Sequence, residues 1–210
     1  MDICRFCHIA DGHGGGEENA FFMSTDEYFA MPSIGSLVEG WALVCPKRHA
    51  VSSSKVADSN GFWNFVYSVG EKVQEEYGSV VVFEHGAIAE GSLTGCGVDH
   101  AHVHIVPIEK KKFRYGVDEE ISDWETVRLS EMAAVVRGRE YLMHATLDSI
   151  KSGYCMVHFL GEPRSQFFRK IIARALGVPD KFDYKKFRYL ENAIGTYKRL
   201  EGRRSGVKVA

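Results

Sequence analysis

The chain has 210 residues, 45% of them hydrophobic and 26% charged, with a formal net charge of −2. This is the balance of one large globular domain, or of a domain with a sizeable extension, and it provides no global basic field for nucleic acid. No apolar run reaches the ~20 residues that span a bilayer, and Met1-Asp2-Ile3-Cys4-Arg5 lacks the basic start and apolar stretch of a signal peptide, so no membrane partner is expected and the expected compartment is cytoplasmic.

Five cysteines, an odd number, argue against a disulfide framework and leave thiols for other work. Cys4-Arg5-Phe6-Cys7 is a C-x-x-C motif followed directly by His8. Two thiolates at this spacing grip one zinc ion from a tight turn, with two further ligands to be supplied. The alternatives are a redox pair, which lacks its strand-then-helix context, and a c-type haem site, which lacks an export signal.

Residues 11–19, with three consecutive glycines, predict a loop. Ala20 to Met23 and Tyr28 to Met31 are short strand-like runs around the turn Ser24-Thr25-Asp26-Glu27. Ser33 to Glu39 is a loop, and Trp41-Ala42-Leu43-Val44-Cys45 is a buried strand closed by Pro46. Lys47-Arg48-His49 follows, where a side chain can turn toward a site. Asp58-Ser59-Asn60 offers helix-start chemistry, and Phe62, Phe65, Val66, Val69 and Val73 recur at helical spacing to about Tyr77. Ser79 to His85 reads as a β-branched strand, and the loop with Gly91, Gly95 and Gly97 lets backbone N–H groups approach a phosphate.

Asp99 to Pro107 then places histidines at 100, 102 and 104. On a strand they share one face, about 7 Å apart at ~3.3 Å rise per residue, while Ala101, Val103 and Ile105 point into a core. Three imidazoles so arranged serve chemistry or metal binding. Beyond Pro107 the charge density of residues 109–124 predicts a solvated connection. Residues 140–145 and 153–160 predict a hairpin turning near Lys151-Ser152-Gly153, with His144 and His158 structural. Residues 165–176, capped by Ser165, and 184–200 predict two helices, and residues 202–210 a frayed tail. At the start of the first helix Arg164, Gln166 and Arg169 read as solvated charges in preference to phosphate contacts. The chain is thereby divided into a catalytic part, 1–112, and a hairpin-and-helix extension packed on it, 113–210.

Three motifs carry a family likeness: His100-x-His102-x-His104-Ile105-Val106-Pro107, the upstream Leu43-Val44-Cys45-Pro46-Lys47-Arg48-His49, and Cys4-x-x-Cys7. In this order they resemble the histidine triad (HIT) superfamily of nucleotide hydrolases and transferases, over residues 1 to about 108. The resemblance implies an α+β fold with a five-stranded antiparallel sheet and a long helix, commonly paired into a homodimer; the C-terminal α/β extension is added to it. In zinc-containing relatives the matching positions, here Cys4, Cys7, His49 and His100, hold one structural Zn²⁺. The central histidine, His102, is the nucleophile, and His104 is a donor beside the phosphate. Ser33 aligns with the position where relatives hold the ribose, the loop residues Gly95, Cys96 and Gly97 are expected at the phosphate, and His85, at a strand end, is a candidate contact for the leaving group.

The chemistry stands on its own residues as well. A neutral imidazole attacks an activated α-phosphate to give a nucleotidyl-histidine, which water or another acceptor resolves. Donors beside the non-bridging oxygens stabilise each transition state. The expected activity is hydrolysis of a phosphoanhydride or phosphoramidate in a nucleotide conjugate, such as a dinucleoside polyphosphate. The rival readings are nucleotide transfer to a sugar phosphate or similar acceptor, and a non-enzymatic nucleotide- or RNA-binding module, which the intact triad argues against and the basic C-terminal helices keep open. The chain departs from the family pattern at Gly97, where relatives carry a serine or threonine, at Ser33 in place of an aspartate, at Trp41 in place of a histidine, and at Glu84-His85-Gly86 in place of an asparagine region.

Overall fold

A computed structural model describes residues 4–92 and 98–202. Eight strands form one antiparallel sheet: β1 (Met23–Ser24), β2 (Tyr28–Pro32), β3 (Ala42–Pro46), β4 (Val80–Gly86), β5 (Val103–Pro107), β6 (Glu125–Arg128), β7 (Tyr141–Ala145) and β8 (Tyr154–Phe159). Their order is β1-β2-β3-β5-β4-β7-β8-β6. The five expected strands are therefore contiguous, and the extension continues the same sheet by pairing β7 with β4, His144 opposite Phe83.

The helices are α1 (Arg5–His8), α2 (Ser59–Tyr77), α3 (Lys110–Glu120), α4 (Met132–Val136), α5 (Leu147–Lys151), α6 (Phe167–Ala175) and α7 (Leu190–Glu201). Asp58 caps α2 by accepting from the Gly61 N–H at 2.9 Å. The apolar stripe of α2, Phe62, Val66, Val69 and Val73, covers one face of the sheet through Ala42, Val44, Val82, Val103 and Ile105. The opposite face, with Trp41, Val81, Phe83 and Val106, is covered by Phe113 and Val117 of α3 and Phe168, Ile171 and Ile172 of α6. Each such side chain taken out of water contributes roughly 1.5–3 kcal/mol. A third cluster, Phe6, Ile9, Phe29, Met31, Leu43 and Cys45, packs the N-terminal segment on β2 and β3.

Several expectations change. Residues 109–124 are not a solvated connection: α3 runs across residue 112 and buries Phe113 and Val117, four residues apart on one face. The lysine run 110–112 masked that face. The Ala20 to Met23 strand shrinks to two residues at the sheet edge. Between β7 and β8 the chain makes the short helix α5 in place of a tight turn, because Thr146 caps it by accepting from Ser149 N–H at 3.1 Å. Strand β6 was not foreseen. The last helix starts at Leu190, after Tyr189 in a left-handed conformation, φ 41°. Ser165 does not cap α6, which starts after Gln166.

Only His104 of the triad lies inside β5. His100 and His102 precede it, because the Ala101 N–H donates to Ala50 O (2.5 Å) and His100 Nε2 to Pro46 O (2.8 Å). This segment is thus held by the end of β3 and the turn that follows it, outside the β3–β5 ladder.

Candidate active site

Three bonds set the proton positions on the triad. His100 Nε2 lies 2.8 Å from Pro46 O, and His102 Nδ1 lies 2.7 Å from His100 O. A carbonyl only accepts, so both nitrogens are donors, and the lone pairs fall on His100 Nδ1 and His102 Nε2. The Trp41 indole N–H donates to His104 Nδ1 at 2.9 Å. His104 therefore keeps its proton on Nε2, a buried atom with no partner among the described residues. Phe83 stacks on the His104 ring, centroids 4.6 Å apart, and fixes its plane.

Burial holds these rings neutral. It lowers His102 below the usual imidazole value, against the favourable bond to His100 O, with Arg5 adding to the shift. It takes His104 well below that value, helped by His102 and Arg169. His100 falls to about 4 for the same first reason, desolvation.

His102 and His104 line a cavity of about 440 Å³. Ser33, Ile34, Leu43 and Val98 contribute from the same half of the chain. The extension contributes Arg169, Tyr184, Lys185 and Arg188, and Arg5 comes from α1. These five were missed by sequence reasoning, which placed Arg169 among solvated charges. Arg169 is in fact buried, 3% exposed. Its Nε donates to Phe182 O at 2.8 Å, its terminal nitrogen donates to Gly35 O, and its guanidinium lies 4.8 Å from the Trp41 ring centroid. The available signal was the basic cluster Lys185, Lys186 and Arg188 beside Tyr184. Sequence separation hid its destination.

His85 is buried against Phe168, ring centroids 5.3 Å apart, and is not among the residues lining the cavity. Desolvation, with His102 adding, lowers it to about 3. Its neighbour Glu84 is also buried, and accepts from Ser53 N–H (2.7 Å), Ser53 Oγ and Tyr141 Oη (2.7 Å). Burial raises this carboxyl against those three bonds. The group ties the turn after β3 to β4 and β7 and thereby supports the backbone that holds His100. Gly95, Cys96 and Gly97 lie outside the described residues.

Beside the cavity, Cys4, Cys7, His49 and His100 present donor atoms all within 4.8 Å of one another, a group that can hold a metal ion. Cys4 Sγ and His100 Nδ1 are 3.4 Å apart, Cys7 Sγ and His49 Nδ1 3.4 Å, and Cys7 Sγ and His100 Nδ1 3.6 Å. Glu90 Oε1 lies 3.2 Å from His49 Nε2 and turns the other ring nitrogen inward.

Two of the three triad rings, His102 and His104, line the cavity, and residues 16–111 match the HIT domain family model. That match covers a little under half of the chain, and the helices and strands beyond it form a C-terminal extension. It is 29% identical over 107 residues to a bis(5'-adenosyl)-triphosphatase of Dictyostelium discoideum, covering 50% of this chain and 68% of that protein. Among solved structures it is similar to a hypothetical histidine triad nucleotide-binding protein of Sulfolobus tokodaii, at 20% identity and a TM-score of 0.43 over 51% of this chain and 70% of the other. It is also similar to a histidine triad protein of Clostridium difficile, at 26% identity and a TM-score of 0.41 over 52% and 96%. No described helix is long and apolar enough to cross a membrane.

Proposed function

We propose that this protein hydrolyses nucleotide conjugates through a nucleotidyl-histidine on His102. The observation that carries the reading is the 2.7 Å bond from His102 Nδ1 to the His100 carbonyl, which leaves the Nε2 lone pair on a ring that lines the cavity. In the first step Nε2 attacks the α-phosphorus and the leaving group departs with its bonding electron pair. In the second, water attacks the same phosphorus, the P–N bond returns its pair to Nε2, and the water's spare proton goes to solvent. In this reading the Nε2–H of His104, buried and unpartnered among the described residues, donates to a non-bridging oxygen in both transition states. The Dictyostelium triphosphatase likeness favours a hydrolase, and a dinucleoside polyphosphate is the substrate class to try first. His102→Ala should abolish turnover and leave the melting temperature within a few degrees. Turnover within tenfold of wild type ends the nucleophile assignment.

The same proposal assigns Zn²⁺ to Cys4, Cys7, His49 and His100. Two sulfurs and two nitrogens at ~2.0–2.3 Å from a tetrahedral zinc lie roughly 3.3–3.8 Å from one another, and the separations of 3.4, 3.4 and 3.6 Å fall in that span. Such a closed site is structural and pins α1 and the turn after β3 to the residue two places before the nucleophile. Atomic absorption on protein purified in zinc-replete medium should give one zinc per chain, and Cys4→Ser should lose most of it. Wild-type protein without zinc refutes the ligand set.

A further inference from the structure

The cavity over His102 has walls of contrasting character. The HIT side presents neutral rings and apolar groups, while Arg5, Arg169, Lys185 and Arg188 bring four cations to the lining, which contains no carboxylate among the described residues. These cations differ in what already holds them. Arg169 is tied to Phe182 O and Gly35 O, and Arg5 donates to Asn19 Oδ1 at 2.7 Å. Lys185 and Arg188 are exposed on the segment before α7, and neither forms a salt bridge in the described residues. The segment itself is well anchored: the Gly35 N–H donates to Arg188 O at 2.5 Å, and Asn192 Nδ2 donates to Ser36 O at 2.8 Å. Two cationic heads are thus carried on an anchored backbone at the cavity that His102 lines; the neighbouring carboxylate, Asp183, accepts from the Lys185 backbone N–H at 3.0 Å and is not part of the described lining.

We propose that Lys185 and Arg188 form a polyphosphate subsite that receives the leaving group, which makes the substrate a phosphoanhydride chain in preference to a phosphoramidate with a neutral amine. The inference rests on the hydrolytic reading above and narrows its substrate class. When the His102 Nε2–P bond forms, the bond from the α-phosphorus to the bridging oxygen breaks and its electron pair stays on that oxygen. The departing polyphosphate therefore gains a unit of negative charge at the end nearest the reaction. Cations already in place stabilise that charge as it develops, and a polyphosphate carries further charges along its length for both side chains to meet. An amine leaves by taking a proton, so it develops no anionic charge for these side chains to stabilise.

The test compares wild type, the double variant Lys185→Ala/Arg188→Ala and the conservative Arg188→Lys. Each is assayed for kcat/KM on a dinucleoside triphosphate and on a nucleoside phosphoramidate with an uncharged amine. The double variant should lower the ratio of the two values at least tenfold, Arg188→Lys should keep most of it, and added salt should erode the wild-type ratio. A ratio unchanged within twofold in the double variant overturns the subsite. Inorganic tripolyphosphate, titrated calorimetrically into the same proteins, gives a reading independent of turnover. Wild type should bind it at least tenfold more tightly than the double variant, and equal binding overturns the subsite. If wild type turns over neither substrate, the hydrolytic reading fails while the titration still decides whether the subsite exists. Both side chains are exposed, so truncation removes charge with little packing.

Discussion

At the scale of single residues, the site depends on which ring nitrogen carries each proton. Backbone carbonyls make that choice for His100 and His102, and an indole makes it for His104. Trp41 is therefore a positioning residue in the proposed mechanism: its indole N–H bonds His104, the proposed donor to the phosphate. In Trp41→Phe the apolar packing against Phe83 and Arg169 is largely kept, and the N–H is lost. The proton of His104 is then free to sit on Nδ1, where it no longer faces a non-bridging oxygen. We expect kcat to fall about tenfold, roughly 1.4 kcal/mol of transition-state stabilisation, with KM changed less than threefold. An unchanged kcat with an intact melting temperature removes Trp41 from the mechanism. The substitution of an indole where family members carry a histidine thus has a specific chemical consequence here.

At the scale of elements, the extension meets the HIT domain at the loop of residues 33–36. Gly35 has φ +75°, a backbone conformation that costs other residues strain, and a Cβ there would come within 2.9 Å of Tyr184 Cα and 3.1 Å of Phe187 O. Its N–H and C=O bind Arg188 O and the Arg169 guanidinium. Gly35→Val should push the 184–189 segment away, lower the melting temperature by several degrees and reduce kcat/KM at least tenfold, chiefly through KM. Wild-type kinetics in a folded variant would mean that the two segments do not depend on this contact. The elements also explain what the sequence disclosed. The triad stood out because small and apolar residues alternate with the histidines, and α2 because its stripe is long and capped. Helix α3 was hidden, since Phe113 and Val117 follow three lysines and only tertiary contact with α6 gives them a core. The cations of the cavity come from positions 5, 169, 185 and 188, and no local pattern links residues so far apart.

At the scale of the whole molecule, the sheet runs unbroken from β1 to β6 across both segments, and β7 covers the edge of β4. That edge is unavailable to a second copy, so a homodimer, if the chain forms one, uses another surface. A shared sheet and a shared core also make the two segments one cooperative unit, in which a buried group in the extension is felt in global stability. His144 on β7 is such a group. Burial between Phe113 and Trp124, with Arg114 adding and Asp118 opposing, lowers it to about 4, from 6.5. Below pH 6.5 the unfolded chain takes up a proton that the native protein refuses until about pH 4. Stability is therefore full above pH 6.5 and is lost as the pH falls toward 4, and His85, lowered to about 3, acts with the same sign. At pH 5 the His144 share is on the order of 2 kcal/mol. Urea unfolding of wild type and His144→Phe at pH 7 and pH 5 should show the loss between the two pH values shrinking by about that amount in the variant. Equal losses in both proteins would mean that His144 titrates alike in the folded and unfolded chain, and that the seal over this face of β7 is open to water.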